Sequence, residues 1–178
     1  AHPFTDTEKI FTNNICLANG VAFGYTVWQE VRMLEMYTDG ACSGNPGRGG
    51  WAWVCVLDGE VVQQNSGSDK STTNNRMELF AVISGLEHFS KSPQRVNGLK
   101  IYTDSSYVQQ GITTWIKNWK KNGWKTASKQ PVKNRELWET LDTLQSNLNV
   151  EWNWVKGHAD NKFNNLCDSL AVEACKKA

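Results

Sequence analysis

The chain lacks long hydrophobic runs and has almost no excess of charge. None of its 178 residues belongs to an apolar stretch long enough to cross a membrane, so we expect no membrane partner. The mildly apolar segment 15–28 is interrupted by Asn19, Gly20 and Gly24 and follows no basic run, so we expect no signal peptide. The formal net charge is only +1, which excludes binding of nucleic acid by overall charge. A polyanionic partner would need a local basic patch.

The cysteine pattern excludes two further classes of site. The five cysteines are odd in number and none forms a C-x-x-C pair, so neither a disulfide framework nor a zinc site is indicated. Reduced thiols favour a cytoplasmic protein. A hydrophobic fraction of 39% and a charged fraction of 21% are ordinary for a globular domain with its own core. The cysteines are Cys16, Cys42, Cys55, Cys167 and Cys175.

The sequence divides into a short N-terminal region and one domain. Residues 1–32 lack a clear hydrophobic period and carry few charges of mixed sign. This region is compatible with a native extension, an extra strand pair or a non-native leader, and the sequence leaves all three open. Residues 33–178 contain a complete series of regular patterns, and we expect them to fold as a self-sufficient domain.

Hydrophobic periodicity predicts an α/β fold. Three alternating segments, two of them joined by the turn signal Asp58-Gly59, are followed by alternating helical and strand patterns. This order predicts a five-stranded mixed sheet, with three antiparallel strands and then parallel strands, flanked by helices. The predicted strands are 33–39, 50–57, 60–67, 99–103 and 150–155. The first predicted helix follows a polar segment at 68–75 and ends before residue 92. The other predicted helices cover about 106–111, 115–124, 134–147 and 163–174.

Four carboxylates stand where a site at one end of this sheet would need them. Asp39 and Asp104 end the first and fourth strands. Glu78 lies in the first turn of the long helix, and Asp168 adjoins the buried stripe of the last helix. If the two strands are neighbours, Asp39 and Asp104 emerge side by side and repel each other. Divalent cations with oxygen ligands offset such repulsion, and Mg²⁺ suits carboxylate ligands.

Each carboxylate also has a purely structural interpretation. Asp39 and the glycine after it form a common turn dipeptide. Glu78 is spaced from Asn75 as in a capping box, Asp104 could cap the helix that follows it, and Asp168 could face solvent. Read singly, none of the four establishes a site.

His158 is a further candidate because it stands in a loop directly after the fifth strand, near the same predicted sheet end. A lone loop histidine is usually an exposed bystander. Beside a metal site it would be able to move protons or ease product departure.

A basic segment with interleaved tryptophans provides a local patch. Residues 115–135 contain no acidic residue, and Trp115 and Trp119, four apart, share a helix face. Basic side chains attract phosphates, and indoles stack on sugars or bases. The alternative is a solvated charged helix with core tryptophans. The members are Trp115, Lys117, Trp119, Lys120, Lys121, Trp124, Lys125, Lys129, Lys133 and Arg135.

Together, these motifs closely resemble type 1 ribonuclease H, bacterial ribonuclease HI in particular. The resemblance runs from about residue 33 to the C-terminus with the motifs in family order, and about 110–135 resembles the family's basic protrusion. The combination is highly specific, although no single motif is. The matching segments are YTDGACSGNPG at 37–47, TNNRMEL at 73–79, YTDSSYV at 102–108, VKGHA at 155–159 and CDSLA at 167–171.

The resemblance implies a monomeric endonuclease that hydrolyses the RNA strand of RNA–DNA hybrids with two Mg²⁺ ions, for which Mn²⁺ is a possible substitute. The products would carry 5′-phosphate and 3′-hydroxyl ends. By position, the metal ligands would be Asp39, Glu78, Asp104 and Asp168, with His158 as the family's loop histidine. Gly40, Cys42, Asn45, Asn74, Asn75 and Ser106 match positions facing the minor groove. Thr73 and Asn118 match the DNA-phosphate pocket, and Trp115 and Trp119 the DNA-strand channel, with Lys120, Lys121, Trp124 and Lys125 beside them in the protrusion.

Two positions depart from the family pattern. Ser71 stands where the family often has arginine, two residues before Thr73, and Asn165 stands where it usually has glutamate. We expect the first to weaken or rearrange phosphate contacts and the second to alter metal affinity near Asp168.

Two alternative functions remain. One is a hybrid-binding module that no longer cuts, which the presence of all four carboxylates disfavours. The other is a related DNA-cleaving nuclease such as an integrase or resolvase, which the TNNRMEL motif and the protrusion disfavour.

Overall fold

The fold is built on a five-stranded mixed sheet, as predicted. The computed structural model describes residues 8–18, 21–31, 33–91, 98–157 and 159–178. The strands are β1 (Glu8–Ala18), β2 (Val21–Val31), β3 (Leu34–Gly44), β4 (Gly47–Leu57), β5 (Glu60–Thr72), β6 (Leu99–Thr103) and β7 (Val150–Trp154). The helices are α1 (Asn74–Lys91), α2 (Ser106–Gln110), α3 (Ile116–Lys121), α4 (Arg135–Ser146) and α5 (Lys162–Lys176), with a π-helical turn at Gly111–Trp115.

The order of the main sheet is β5-β4-β3-β6-β7. Strands β3, β4 and β5 pair antiparallel, because the two-residue turn Asp58-Gly59 joins β4 to β5 and both of its residues have positive φ. Strands β6 and β7 are each preceded by a helix and add in parallel beside β3. The predicted order of three antiparallel strands and then parallel strands is therefore confirmed.

Strands β1 and β2 form a separate two-stranded antiparallel sheet. Of the three interpretations of the N-terminal region, an extra strand pair agrees with this pairing. The division of the chain at residue 32 remains a prediction. None of the helices in the described ranges is long and apolar enough to span a membrane.

The core lies on both faces of the sheet because β3 and β4 are covered on each side. On one face, Met36, Trp53 and Cys55 pack with the apolar residues of α1, including Leu79 and Leu86. On the other face, a smaller cluster packs against α5. The second cluster comprises Tyr37, Ala52, Val54, Val56, Cys167 and Ala171.

Several predicted elements were wrong in extent. The first strand was predicted to end at Asp39, but Asp39 pairs with Ala52 and β3 continues to Gly44, so the interpretation of Asp39 and the glycine after it as a turn is wrong. The second strand, β4, begins at Gly47 rather than at residue 50.

The third strand was predicted to end at residue 67, before the polar segment 68–75, but Ser68 pairs with Gly50 and Thr72 with Gly47, so β5 continues to Thr72. Its side chains are polar because β5 is an edge strand with both faces largely open to water. The helix predicted over 115–124 ends at Lys121, because Gly123 takes a positive φ that closes it.

Gly50 allows α5 to pack directly on β4. A Cβ atom at Gly50 would collide with the backbone carbonyl oxygen of Ala171 and the backbone nitrogen of Cys175. Both of those are main-chain atoms of a helix that is packed on the sheet and has little room to move away. The position of α5, and of every side chain it carries, therefore depends on this glycine.

We expect Gly50→Ala to lower the free energy of unfolding by about 1–3 kcal/mol, the usual cost of overpacking. For a chain of this size that corresponds to a fall in melting temperature of about 3–10 °C, measured by circular dichroism. Ser68→Ala is the matched control, because Ser68 pairs with Gly50 across the ladder and is exposed. Equal melting temperatures for the two variants would contradict the close approach of α5.

Candidate active site

Strands β3 and β6 deliver two carboxylates to the same edge of the sheet. They pair in parallel, with Thr38 opposite Thr103, so the next residues lie side by side: Asp39 inside β3 and Asp104 directly after the end of β6. The condition stated for Asp39 and Asp104, that their strands be neighbours, is met by this pairing. Ser105, not Asp104, caps α2, since the Ser105 hydroxyl accepts a hydrogen bond from the backbone N–H of Val108. The capping interpretation of Asp104 is therefore wrong.

Helix α1 brings Glu78 to the same point. The Glu78 side chain is buried, and its Oε1 accepts a hydrogen bond of 3.3 Å from Nδ2 of Asn74. Asn75 lies inside the helix, so the capping-box interpretation is wrong. Gly40 permits the approach, because a Cβ atom there would lie 2.6 Å from the carbonyl carbon of Met77. One carboxylate oxygen from each of Asp39, Glu78 and Asp104 lies within 4.8 Å of the others.

Asp168 approaches this group from α5. It lies one residue after Cys167, which is fully buried, and it is partly exposed. Its carboxyl group interacts with Asp39 through a hydrogen bond and through charge, and both effects raise the pKa of Asp39. Asp168 lies outside the group of three carboxylates within 4.8 Å of one another, and its role as a metal ligand stays a prediction.

Burial and like charge make this cluster reluctant to ionise. Desolvation, followed by the charges of Asp104 and Asp168, raises the pKa of Asp39 to about 8. Burial, followed by the charges of Asp39 and Asp104, raises the pKa of Glu78 well above its usual range. Oε2 of Glu78 is buried and accepts no hydrogen bond from any residue in the described ranges. A divalent cation would supply the missing partner and offset the repulsion, so these residues fit a metal site.

Asp104 is held by contacts that the sequence analysis missed. Nδ2 of Asn164 lies 3.1 Å from Oδ2 of Asp104, and the indole Nε1 of Trp154 donates to the Asp104 carbonyl oxygen at 3.1 Å. Gly157 leaves no room beside the carboxylate, since a Cβ atom there would lie 2.6 Å from Oδ2. The signal for Asn164 was its spacing of four residues before Asp168, which places both on one face of α5.

The loop between β7 and α5 is described only in part. His158 lies outside the described residues, so its role stays a prediction. The next residue, Ala159, offers its carbonyl oxygen to Nδ2 of Asn165 at 2.9 Å. A glutamate at position 165 could not make this contact when ionised, because a carboxylate has no donor.

The predicted minor-groove residues lie on the elements that carry the carboxylates. Gly40 and Asn74 contact the cluster directly through Asp39 and Glu78. The Cys42 thiol donates to the carbonyl oxygen of Gly44 at 2.7 Å. The exposed members are Asn45, Asn75 and Ser106, while Cys42 and Asn74 are partly exposed. Thr73, predicted for the DNA-phosphate pocket, is also partly exposed.

The predicted protrusion forms an open depression beside an aromatic cluster. Trp119 lies with its ring centroid 5.7 Å from that of Trp115, 6.4 Å from that of Trp124 and 5.4 Å from that of the buried Trp138. The tryptophans are thus partly core and partly surface, which combines the two interpretations of the sequence. The depression is lined by Trp115, Asn118, Trp119, Asn122, Lys125, Thr126 and Ala127.

The charge of this region is less one-sided than the sequence suggested. Segment 115–135 contains no acid, but α4 supplies acids from the next part of the chain. Nζ of Lys120 lies 2.6 Å from Oδ2 of Asp142, and Arg135 pairs with Glu139 at 2.9 Å. Lys121 and Lys125 are exposed. The available positive charge therefore lies more with Lys121 and Lys125 than with Lys120.

Comparisons with known proteins show similarity over most of the chain. Residues 31–176 match the model of the RNase H family. A ribonuclease H of Treponema denticola is 53% identical over 156 residues, which cover 81% of this chain and 98% of that protein. One of Treponema pallidum is 50% identical over 157 residues, which cover 82% and 92%. The crystal structure of LC9-RNase H1, a type 1 RNase H with the type 2 active-site motif, aligns with a TM-score of 0.73 at 31% identity, covering 83% of this chain and 74% of that one.

The raised pKa of Asp39 predicts a pH-dependent gain in stability for Asp39→Asn. The folded pKa of about 8 exceeds the usual value near 4, so ionised Asp39 opposes folding. This penalty is absent below about pH 4 and grows, by at most about 1.4 kcal/mol per pH unit, as the pH rises toward 8. In metal-free buffer, Asp39→Asn should melt above the unmodified chain, and by more at pH 8 than at pH 5.

The exposed Asp69 supplies the control, because Asp69→Asn should show no such trend. Adding Mg²⁺ should raise the melting temperature of the unmodified chain more than that of Asp39→Asn. If the difference in melting temperature between Asp39→Asn and the unmodified chain does not change with pH, the buried, like-charged environment of Asp39 is contradicted.

Proposed function

Because this chain belongs to the ribonuclease H family of nucleases, we propose that it cleaves the RNA strand of RNA–DNA hybrids internally, leaving 5′-phosphate and 3′-hydroxyl ends. The observation that carries the proposal is the convergence of Asp39, Glu78 and Asp104 within 4.8 Å, from three separate elements. Such a group of buried carboxylates opposes folding unless it serves a ligand. The family relation then indicates which ligand and which chemistry.

Asp39, Glu78, Asp104 and Asp168 would hold the divalent cations, which we propose to be two Mg²⁺ ions, with Mn²⁺ as a substitute. Bound there, the ions would lower the pKa of a water molecule and neutralise charge on the leaving 3′ oxygen. The protein supplies rigid placement, since Asp39 lies inside β3, Asp104 directly follows β6, which pairs with β3, and Glu78 is held by Asn74. His158 would move a proton or assist product departure from its loop.

Substrate choice would rest on two surfaces. Gly40, Cys42, Asn45, Asn74, Asn75 and Ser106 would contact the minor groove, where 2′-hydroxyls distinguish RNA from DNA. Backbone groups and side-chain amides are suited to recognising 2′-hydroxyls, because they present hydrogen-bond donors and acceptors at fixed positions.

The protrusion would bind the DNA strand. Trp115, Trp119 and Trp124 offer flat apolar surfaces to sugars, and Lys121 and Lys125 offer charge to phosphates. Thr73 and Asn118 would contact a DNA phosphate, and Lys120 would contribute less because it is paired with Asp142. We further propose that the protein acts as a monomer in the cytoplasm.

The decisive experiment uses a hybrid labelled on its RNA strand. With Mg²⁺, the unmodified chain should produce internal RNA cuts that EDTA stops, while single-stranded RNA and duplex DNA remain intact. Asp104→Asn and Asp39→Asn should each reduce the rate by more than about 100-fold, since loss of a ligand should exceed the usual effect of its supporting residues. The exposed Asp69→Asn is the control for charge.

Tight binding of the hybrid without cleavage in Mg²⁺ or Mn²⁺ would favour the non-cleaving module instead. Cleavage of duplex DNA at a comparable rate would favour a DNA nuclease. Near-normal Mg²⁺-dependent cleavage by Asp104→Asn would contradict the assignment of the metal ligands.

The protrusion generates a separate prediction. Lys121→Gln combined with Lys125→Gln should weaken hybrid binding by roughly tenfold and lower the slope of log affinity against log salt by up to about 2, because each lysine that contacts a phosphate releases about one counterion. Fluorescence anisotropy with a labelled hybrid in Ca²⁺ would measure both. The same change at Lys176, on the exposed end of α5, is the control. An unchanged salt slope would mean that these lysines are only a solvated face.

A further inference from the structure

Asn164 is a deeply buried polar side chain beside the carboxylate cluster. It is 1% exposed, and it reaches Asp104 across 60 positions of sequence, with 3.1 Å between Nδ2 and Oδ2. A carboxylate only accepts hydrogen bonds, so the amide must present its NH₂ group to Asp104. This contact therefore fixes the direction of the whole amide.

The other end of the amide is left without a partner. Oδ1 of Asn164 is buried and accepts no hydrogen bond from the residues that the structure describes. An unpaired buried amide oxygen is unfavourable and calls for a water molecule or a ligand. Glu78, on the same cluster, also has a buried oxygen without a partner in the described ranges. Mg²⁺ typically retains several of its water molecules in protein sites, and these are hydrogen-bond donors.

The position of Asn164 is fixed by the start of α5. The side chain of Asn161 caps this helix and accepts hydrogen bonds from the backbone N–H groups of Phe163 and Asn164, both at 3.1 Å. Farther along, α5 packs on β4 at Gly50. From the end of β7, the indole N–H of Trp154 donates to the carbonyl oxygen of Asp104. Asp104 therefore accepts hydrogen bonds from side chains of both α5 and β7.

We propose that Asn164 is a positioning residue of the metal site. Its NH₂ group holds the Asp104 carboxylate in one orientation, and its buried Oδ1 accepts a hydrogen bond from a water molecule of the hydrated ion. This inference rests on the proposed function for the presence of the ion. It assigns to Asn164 an effect on metal affinity rather than contact with the substrate, since the contact it makes is with Asp104.

The test measures metal binding directly in the absence of substrate. Isothermal titration calorimetry of the metal-free chain with Mg²⁺ should give a dissociation constant that rises about tenfold in Asn164→Ala and in Asn164→Ser, within the range found when residues that support a ligand are removed. The serine side chain introduced by Asn164→Ser is too short to reach Asp104, so both variants remove the contact with Asp104. If one variant fails to fold, the other still tests the proposal. Circular dichroism confirms folding of each.

Cys175→Ala is the matched control. Cys175 is buried on the same helix, and its thiol donates to the backbone of Arg48 at 3.2 Å, at the other end of α5 from Asn164. Cys175→Ala should lower the melting temperature and leave the Mg²⁺ dissociation constant unchanged. In the cleavage assay, the Asn164 variants should need about tenfold more Mg²⁺ for half-maximal rate and recover most of their rate at saturating Mg²⁺.

An unchanged Mg²⁺ dissociation constant in either folded Asn164 variant would overturn the proposal, as would an equal weakening in Cys175→Ala. Failure of the proposed function gives a different result. If the unmodified chain binds Mg²⁺ but cuts no hybrid, the nuclease assignment fails, while the calorimetric comparison still decides the role of Asn164. If the unmodified chain binds no Mg²⁺, both fail.

Discussion

The repulsion between buried carboxylates is the constraint on which the rest of the structure depends. Asp39 and Glu78 are both nearly inaccessible, and the charge of Asp39 raises the cost of ionising Glu78. An unconstrained chain would separate them, because water solvates each carboxylate better alone. The fold holds them together because Asp39 lies inside β3 and Glu78 inside α1, and both elements are packed in the core. The site is therefore a region of local instability that the two clusters of the core must offset.

The sheet topology explains why that offset is possible. Asp39 and Asp104 follow paired residues of two parallel strands, so separating them would break the ladder between β3 and β6. Glu78 is brought in by α1, whose apolar face contributes to the larger core cluster. Glycines also position the site, since the lack of a side chain at Gly40 and Gly157 allows their backbone to lie against Glu78 and Asp104. Larger residues there would displace the ligands rather than merely crowd them.

Much of this arrangement could be predicted from periodicity alone. Strand β6 has the predicted bounds, and the alternation of patterns predicted three antiparallel strands followed by parallel ones. The edge strand β5 was underestimated, because an edge strand needs no apolar alternation when neither of its faces is deeply buried. The capping-box interpretation of Glu78 failed for a related reason. Local spacing describes what a side chain can reach along its own helix, whereas the position of Glu78 is set by its neighbours on other elements.

Long-range polar contacts could not be predicted from the sequence patterns, because those patterns describe only contacts within one helix or strand. Asn164 touches Asp104 and Lys120 touches Asp142, and neither pair shares a local period. The second contact changes how the basic segment is read, because its apparent excess of charge is partly compensated from α4. Lys121 and Lys125 remain as exposed charges beside a rigid aromatic surface. Such a surface favours a partner with regularly spaced charges and flat apolar groups, and a nucleic-acid strand has both.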